Sequence, residues 1–178
     1  MKHYRRDRSN PKDADIYTGA LATQLASLTK ASALIYARTS KEDPNDDADG
    51  EYKRQLRDLV IQKQARFVLD FHGLARKQPM QIAVGTGGDR ENLLGRTDLL
   101  DVLRNTLKNA GFEIAENAPG FAASGPNTIS SFTRRELGIP ALQIEIHKDY
   151  RNPRNKPHEY ARLLHALDEA IRAIAELL

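Results

Sequence analysis

The strongest constraint on the fold is a regular alternation of short apolar runs with longer amphipathic segments along the chain of 178 residues. Apolar residues recur at helical spacing in the amphipathic segments. This spacing predicts helices over residues 15–29, 51–64, 93–110, 127–136 and 157–178. The first of these segments has an acidic residue, Asp13 or Asp15, in position to cap it.

The apolar runs between these segments predict strands over residues 33–37, 66–71, 81–85, 112–115 and 141–146. Strands that alternate with helices favour a mostly parallel sheet covered by helices on both faces. The sequence has no internal repeat and no linker. We therefore expect residues 1–178 to form a single α/β domain with three layers, α/β/α, and a mostly parallel mixed sheet.

Composition excludes several classes of protein and of site. With 40% hydrophobic and 29% charged residues, the chain differs from disordered proteins. No apolar run approaches the roughly 18 residues of a membrane span, and the basic N-terminus lacks the apolar region of a signal peptide. A cytoplasmic protein without membrane contact is therefore expected. Without cysteine, any metal ion must be held by His, Asp or Glu.

The charge pattern argues against nucleic acid as a partner. The net charge is +3, only 6% of the residues are aromatic, and basic residues form no dense stripe. Scattered arginines are better suited to a small anionic substrate.

Polar residues at the carboxyl ends of the predicted strands form a candidate site, because ligands of parallel sheets bind at that edge. His72 follows a buried strand, and Asp70 lies two residues earlier on the same face. A histidine in this setting suits a metal ligand or a general base, oriented by the nearby carboxylate. A structural histidine that bonds to local backbone remains an alternative. The loop at 85–90 is expected at the same edge.

Glu145 interrupts an otherwise apolar strand, and Gln143 alternates with it on the same side. A glutamate is rarely buried without a partner, and burial raises the pKa of a carboxyl group toward the range of a general base. The alternative is an edge strand on which Gln143 and Glu145 face water.

Arg38, Asn45 and Arg151 flank the same edge of the predicted sheet. The planar guanidinium group fits a carboxylate with two hydrogen bonds, so these residues suit an acidic or amino-acid-like substrate. Each of them, taken singly, is more often a solvated surface group.

Several segments, in this order along the chain, resemble the N-formylglutamate amidohydrolase family. They are Ala14-Asp-Ile-Tyr-Thr-Gly19, Ala37-Arg-Thr with Asp43-Pro-Asn45, Val68-Leu-Asp-Phe-His-Gly73, Ile82-Ala-Val-Gly85, and Ala141-Leu-Gln-Ile-Glu-Ile146 followed by Arg151. The resemblance implies a fold like that of zinc carboxypeptidases, hence zinc-exopeptidase-like. It also implies a metal-dependent hydrolase of the amide bond in N-formyl or N-acyl acidic amino acids or related small substrates.

The resemblance further implies a role for each candidate residue. His72 matches the zinc-binding histidine, and Glu145 matches the acid that activates water. Arg38 and Asn45 match the region that binds the substrate carboxylate, to which Arg151 adds.

The chain departs from the family pattern at its N-terminus. The resemblance implies two more zinc ligands, a His-x-x-Glu pair from a loop after an earlier strand. Here His3 is present, but position 6 is Arg6, so the pair is incomplete. The expectation is that His3 and another acid rebuild the site or that the N-terminus is truncated.

Two alternatives to this enzyme stay open. An N-acetylmuramoyl-L-alanine amidase shares a similar zinc fold, with an arginine at a strand end, a strand followed by histidine and a late glutamate. A non-catalytic descendant that binds an acidic ligand or a protein is favoured by the missing His-x-x-Glu pair.

Overall fold

The computed structural model describes residues 15–37 and 42–178 in full, together with the backbone of two short strands, β1 (Lys2–Tyr4) and β2 (Pro11–Asp13). The helices are α1 (Thr18–Thr29), α2 (Glu51–Lys63), α3 (Thr97–Asn109), α4 (Ile129–Phe132) and α5 (Pro157–Leu177). The main sheet contains β3 (Val68–Leu74), β4 (Ile82–Gly85), β5 (Ile114–Glu116) and β6 (Ala141–His147). No helix in the described part of the chain combines the length and the apolar character needed to cross a membrane.

The main sheet has four strands in the order β3-β6-β4-β5. β3 pairs parallel with β6, and β4 pairs parallel with β5, whereas β4 and β6 are antiparallel. Two of the three pairings are thus parallel, and the prediction of a mostly parallel mixed sheet is confirmed. β6 lies inside the sheet, between β3 and β4.

One face of the sheet carries the main hydrophobic core. Leu142, Ile144 and Ile146 alternate along β6 on this face and are fully buried. They pack with α1, α3 and α5, whose buried leucines, such as Leu21 and Leu163, belong to the same cluster. The period of two residues along a strand sends the intervening side chains to the opposite face.

The opposite face is covered by α2 and α4 at one end and by the loop at 118–125 at the other. Leu56 of α2 and Phe132 of α4 are buried there and pack against Val68. Leu74 and Ala118 form a second small cluster. Between these two apolar clusters lie the polar side chains of β3 and β6. Helices on both faces confirm the three-layer α/β/α fold class.

The prediction of a strand at 33–37 is wrong. This segment has no regular secondary structure, and it makes no backbone hydrogen bond to another segment among the described residues. The Tyr52 hydroxyl donates to the Leu34 carbonyl at 3.3 Å, and the rings of Tyr36 and Tyr52 pack with their centroids 5.5 Å apart. The local pattern of residues favours an extended backbone, but strand formation also requires a neighbour with which to pair.

Candidate active site

Four polar side chains share the face of the sheet opposite the main core: Asp70 and His72 on β3, and Gln143 and Glu145 on β6. The parallel register pairs Asp70 with Gln143 and His72 with Glu145. Residues that are paired directly in a sheet point to the same face. The register therefore brings His72 and Glu145, which are far apart in sequence, side by side.

His72 lies between two carboxylates. Its Nδ1 is 3.0 Å from Asp15 Oδ2, and its Nε2 is 3.0 Å from Asp70 Oδ2. Asn45 Nδ2 also lies 3.0 Å from Nε2, and the Asn45 amide oxygen accepts a hydrogen bond of 2.9 Å from the Ile129 N–H. Nε2 can serve only one of these two neighbours: with a proton it donates to Asp70, and without one it accepts from Asn45.

The carboxylates of Asp15 and Asp70 favour the state in which Nε2 carries a proton. Burial by itself lowers the pKa of His72, but the negative charge of Asp70 and the hydrogen bonds to Asp15 and Asp70 outweigh it. The charge of Glu145 acts in the same direction, so the pKa of His72 lies well above 6.5. The raised pKa favours the imidazolium form, which donates from both ring nitrogens.

A tight turn delivers Asn45 to the site. Asp43 Oδ1 accepts from the Asn45 N–H at 3.1 Å, and Asp47 Oδ2 accepts from the Asp43 N–H at 2.8 Å. Lys53, which is 1% exposed, donates to the carbonyl of Asp47 at 2.5 Å and to that of Asn127 at 2.6 Å. Lys53 thus ties the turn at 43–47 to the segment that precedes α4.

Glu145 and Gln143 are buried, with exposed fractions of 9% and 5%. Gln143 Nε2 donates to Glu145 Oε1 at 3.1 Å, whereas Gln143 Oε1 is buried without a partner among the described residues. The alternative of an edge strand with both side chains in water is wrong, because β6 lies inside the sheet.

A cavity of about 410 Å³ opens above these side chains. Its floor includes His72, Gln143 and Glu145, and its wall is the loop at 120–125. Gly85 allows this loop to approach the sheet, since a Cβ atom at position 85 would lie 2.5 Å from the Phe121 carbonyl oxygen. The cavity has the size of a small-molecule site.

Arg151 follows β6 at the expected edge, but its guanidinium group is buried and donates to backbone carbonyls. Nε donates to Ile146 O at 2.9 Å, Nη2 donates to Leu74 O at 3.3 Å, and Nη1 donates to Ile16 O. Burial lowers the pKa of Arg151. The side chain is 4% exposed and does not line the cavity of 410 Å³.

Two predicted site residues lie outside the described residues. His3 falls in β1, of which the backbone alone is described, and Arg38 falls between the two described ranges. Within those ranges, no three His, Asp or Glu side chains are arranged to hold a metal ion. Both ring nitrogens of His72 also face carboxylates. The described residues therefore do not fit a zinc ion, and zinc binding stays a prediction that depends on His3.

The expectation for the loop at 85–90 is wrong. β4 runs antiparallel to β6, so Gly85 pairs with Gln143 near the start of β6, away from its carboxyl end. The loop serves instead as a support, because the Gly87 N–H donates to the Ala122 carbonyl of the cavity wall at 2.8 Å.

Sequence reasoning missed three contributors to the site. Asp15 was expected only as a helix cap, yet its carboxylate bonds to His72. Lys53 is one of several charged residues in α2, and nothing in the sequence indicates that this one is buried. The loop at 120–125 could have been noticed from its Gly, Ala and Ser content, which permits close backbone approach.

Comparisons with known proteins support the fold. No protein-family model and no curated protein matches the sequence. The structure is similar to N-formylglutamate amidohydrolase from Ralstonia eutropha JMP134, with a TM-score of 0.52 and 21% identity over 71% of this chain and 51% of that chain. This chain thus spans about half the length of that protein.

A second similar structure is the catalytic domain of CwlV, an N-acetylmuramoyl-L-alanine amidase from Bacillus (Paenibacillus) polymyxa var. colistinus. The TM-score is 0.53 and the identity 12%, over 97% of this chain and 89% of that chain. At these identities, the similarity concerns the fold alone, a mixed α/β sheet flanked by helices.

Proposed function

We propose that this chain hydrolyses the amide bond of small N-acyl amino acids, with Glu145 as the general base. The observation that carries the proposal is a buried glutamate, 9% exposed, paired in register with His72 on the floor of a cavity of about 410 Å³. Support also comes from the two similar structures, since both proteins are named as enzymes that act on amide bonds.

The proposed reaction is a general base hydrolysis. Glu145 accepts a proton from a water molecule while the water oxygen attacks the amide carbonyl carbon. Glu145 then delivers this proton to the amide nitrogen as the C–N bond breaks, which gives a carboxylic acid and a free amine. A protonated His72 cannot accept a proton, and its positive charge stabilises negative charge that develops on the carbonyl oxygen.

The substrate class follows from the resemblance and from the size of the cavity. N-formyl and N-acyl derivatives of acidic amino acids are small enough to enter it. Zinc dependence is a separate prediction, tested by elemental analysis of the purified protein after incubation with zinc and of a His72→Gln variant. Near-stoichiometric zinc that is lost in the variant supports His72 as a ligand, and no zinc in either protein contradicts it.

The central experiment compares Glu145→Gln with Glu176→Gln. Glu176 is exposed near the end of α5, so the control makes the same chemical change away from the cavity. We expect Glu145→Gln to abolish hydrolysis of N-formyl-L-glutamate while the circular dichroism spectrum stays unchanged, and Glu176→Gln to keep full activity. Equal activity of both variants would remove Glu145 from the mechanism.

A muramoyl-L-alanine amidase is the second candidate, favoured by the coverage of 97% of this chain in the match to the CwlV catalytic domain. Parallel assays with N-formyl-L-glutamate, N-acetyl-L-glutamate and muramoyl-L-alanyl peptides separate the two enzymes. Binding of these compounds without turnover would instead identify a non-catalytic binding protein, which the engagement of both ring nitrogens of His72 favours.

A further inference from the structure

The cavity wall holds two backbone carbonyl groups in fixed directions. The Ala122 carbonyl accepts from the Gly87 N–H at 2.8 Å. The Ala123 carbonyl accepts from Asn92 Nδ2 at 3.0 Å and from Ser131 Oγ at 3.2 Å. Asn92 and Ser131 are buried, with exposed fractions of 0% and 2%. Both carbonyl groups therefore point away from the cavity, into the body of the protein.

The peptide N–H groups that follow these carbonyls point the other way. In a planar trans peptide, the N–H of one residue is antiparallel to the carbonyl of the residue before it. The N–H groups of Ala123 and Ser124 are thus directed away from the buried donors, and both residues line the cavity. Among the described residues, neither N–H has an acceptor.

The backbone at this point is strained in a way that aligns the two donors. Ala123 has φ of 54°, in the left-handed region that residues other than glycine rarely occupy. Such strain persists where surrounding contacts hold it, and it concentrates at functional sites. Consecutive N–H groups around a left-handed residue form a concave nest that binds anionic oxygen.

The cavity offers an acidic substrate no basic side chain of lysine or arginine. None of the described residues that line it is Lys or Arg, and the Arg151 guanidinium group donates to three backbone carbonyls. The Asn45 amide is engaged with Ile129 and lies against His72. The ring nitrogens of His72 face Asp15 and Asp70, so a carboxylate that enters the cavity requires donors from another source.

We infer that the N–H groups of Ala123 and Ser124 form the subsite for the substrate carboxylate. This inference rests on the proposed function for the substrate class, but its test is equilibrium binding and needs no turnover. Hydrogen bonds to a charged acceptor are short and strong, and they require no positive side chain. The subsite selects N-acyl amino acids that carry a carboxylate over the corresponding amides.

The test replaces Ala123 by L-lactic acid, which exchanges the N–H for an ester oxygen and keeps the side chain. The matched control is Ala118→L-lactic acid, at the start of the same loop and away from the cavity lining. Calorimetry measures the affinity of each protein for N-acetyl-L-glutamate and for its uncharged diamide. An ester also weakens the Ala122 carbonyl as an acceptor, so a second measurement uses unmodified protein labelled with ¹⁵N.

We expect the unmodified protein to bind N-acetyl-L-glutamate at least about tenfold more tightly than the diamide, the size of one hydrogen bond to a charged group. Ala123→L-lactic acid removes this preference, and Ala118→L-lactic acid keeps it. In the labelled protein, the amide protons of Ala123 and Ser124 shift downfield on addition of N-acetyl-L-glutamate.

Equal affinity of the Ala123 variant and the unmodified protein for N-acetyl-L-glutamate, or unshifted amide protons at 123 and 124, would overturn the inference. So would an unmodified protein that does not bind N-acetyl-L-glutamate. Hydrolysis is measured separately. A protein that binds the carboxylate through Ala123 and hydrolyses none of the substrates refutes the proposed function and leaves the carboxylate subsite in place.

Discussion

Replacement of Arg151 by methionine tests whether this residue builds the site or binds the substrate. The side chain is 4% exposed, and its guanidinium group donates to the carbonyls of Ile16, Leu74 and Ile146. Gly73 lies directly against the guanidinium group, with no room for a Cβ atom. Arg151 therefore fills a closed space and holds three separate segments together.

These three segments carry the site. Ile16 follows Asp15, Ile146 follows Glu145, and Leu74 lies two residues after His72. Arg151→Met leaves three buried carbonyl groups without their donors. A buried acceptor left without its donor costs about 1–3 kcal/mol, so the three together cost about 3 kcal/mol or more. We expect the free energy of unfolding to fall by this amount, with a loss of carboxylate binding that follows from the loss of structure.

Urea denaturation, monitored by circular dichroism, measures the difference. Arg154→Met is the matched control, because Arg154 is exposed on the same loop, and we expect it to leave stability unchanged. The reasoning is refuted if Arg151→Met loses less than about 1 kcal/mol, a value typical of a surface residue. If such a stable variant also fails to bind N-acetyl-L-glutamate, the original interpretation of Arg151 as a substrate ligand is favoured.

Other predictions follow from single contacts. Asp15→Asn should lower the pKa of His72 in an NMR titration, and an unchanged titration contradicts the contact. Because the pKa of His72 is raised in the folded protein, the stabilisation is complete below about pH 6.5 and is lost as the pH rises through the folded value. The variant should therefore lose stability mainly at low pH. Gly85→Ala should cost about 1–3 kcal/mol in urea denaturation, since the new Cβ atom meets the Phe121 carbonyl; equal stability would contradict this close approach. Lys53→Met should cost about 1.5–3 kcal/mol and weaken ligand binding, and a loss of neither would show that the turn at 43–47 is held by other contacts.

The sequence predicted most of the elements because their signals are local. The helical period of α5 and the apolar run of β6 each lie within one segment, and their observed bounds differ from the predicted ones by at most one residue. A polar residue within an apolar run is also a local signal. Glu145 stands out because it interrupts an apolar strand, and the structure shows it buried on β6 inside the sheet.

Features that depend on distant pairing were not predictable. The segment at 33–37 has the composition of a strand, but no local signal specifies whether a neighbour is present. The direction of β4 was likewise open, because an antiparallel strand and a parallel one have the same alternation of residues. Asp15 joins His72 across 57 positions, and Arg151 reaches Ile16 across 135. Such contacts follow from the packing of α1 against the sheet.

The two carboxylates around His72 restrict its possible roles more than its position at the end of a strand does. A histidine at the end of a strand suits both a metal ligand and a general base, and each role needs a ring nitrogen with a free lone pair. Asp15 and Asp70 each lie 3.0 Å from one ring nitrogen, and together they raise the pKa of His72 and so favour its protonated form. A ring in this form can neither accept a proton nor bind a metal ion. This arrangement favours Glu145 as the base in the proposed hydrolysis, and a zinc ion at His72 would have to displace one of the two carboxylates.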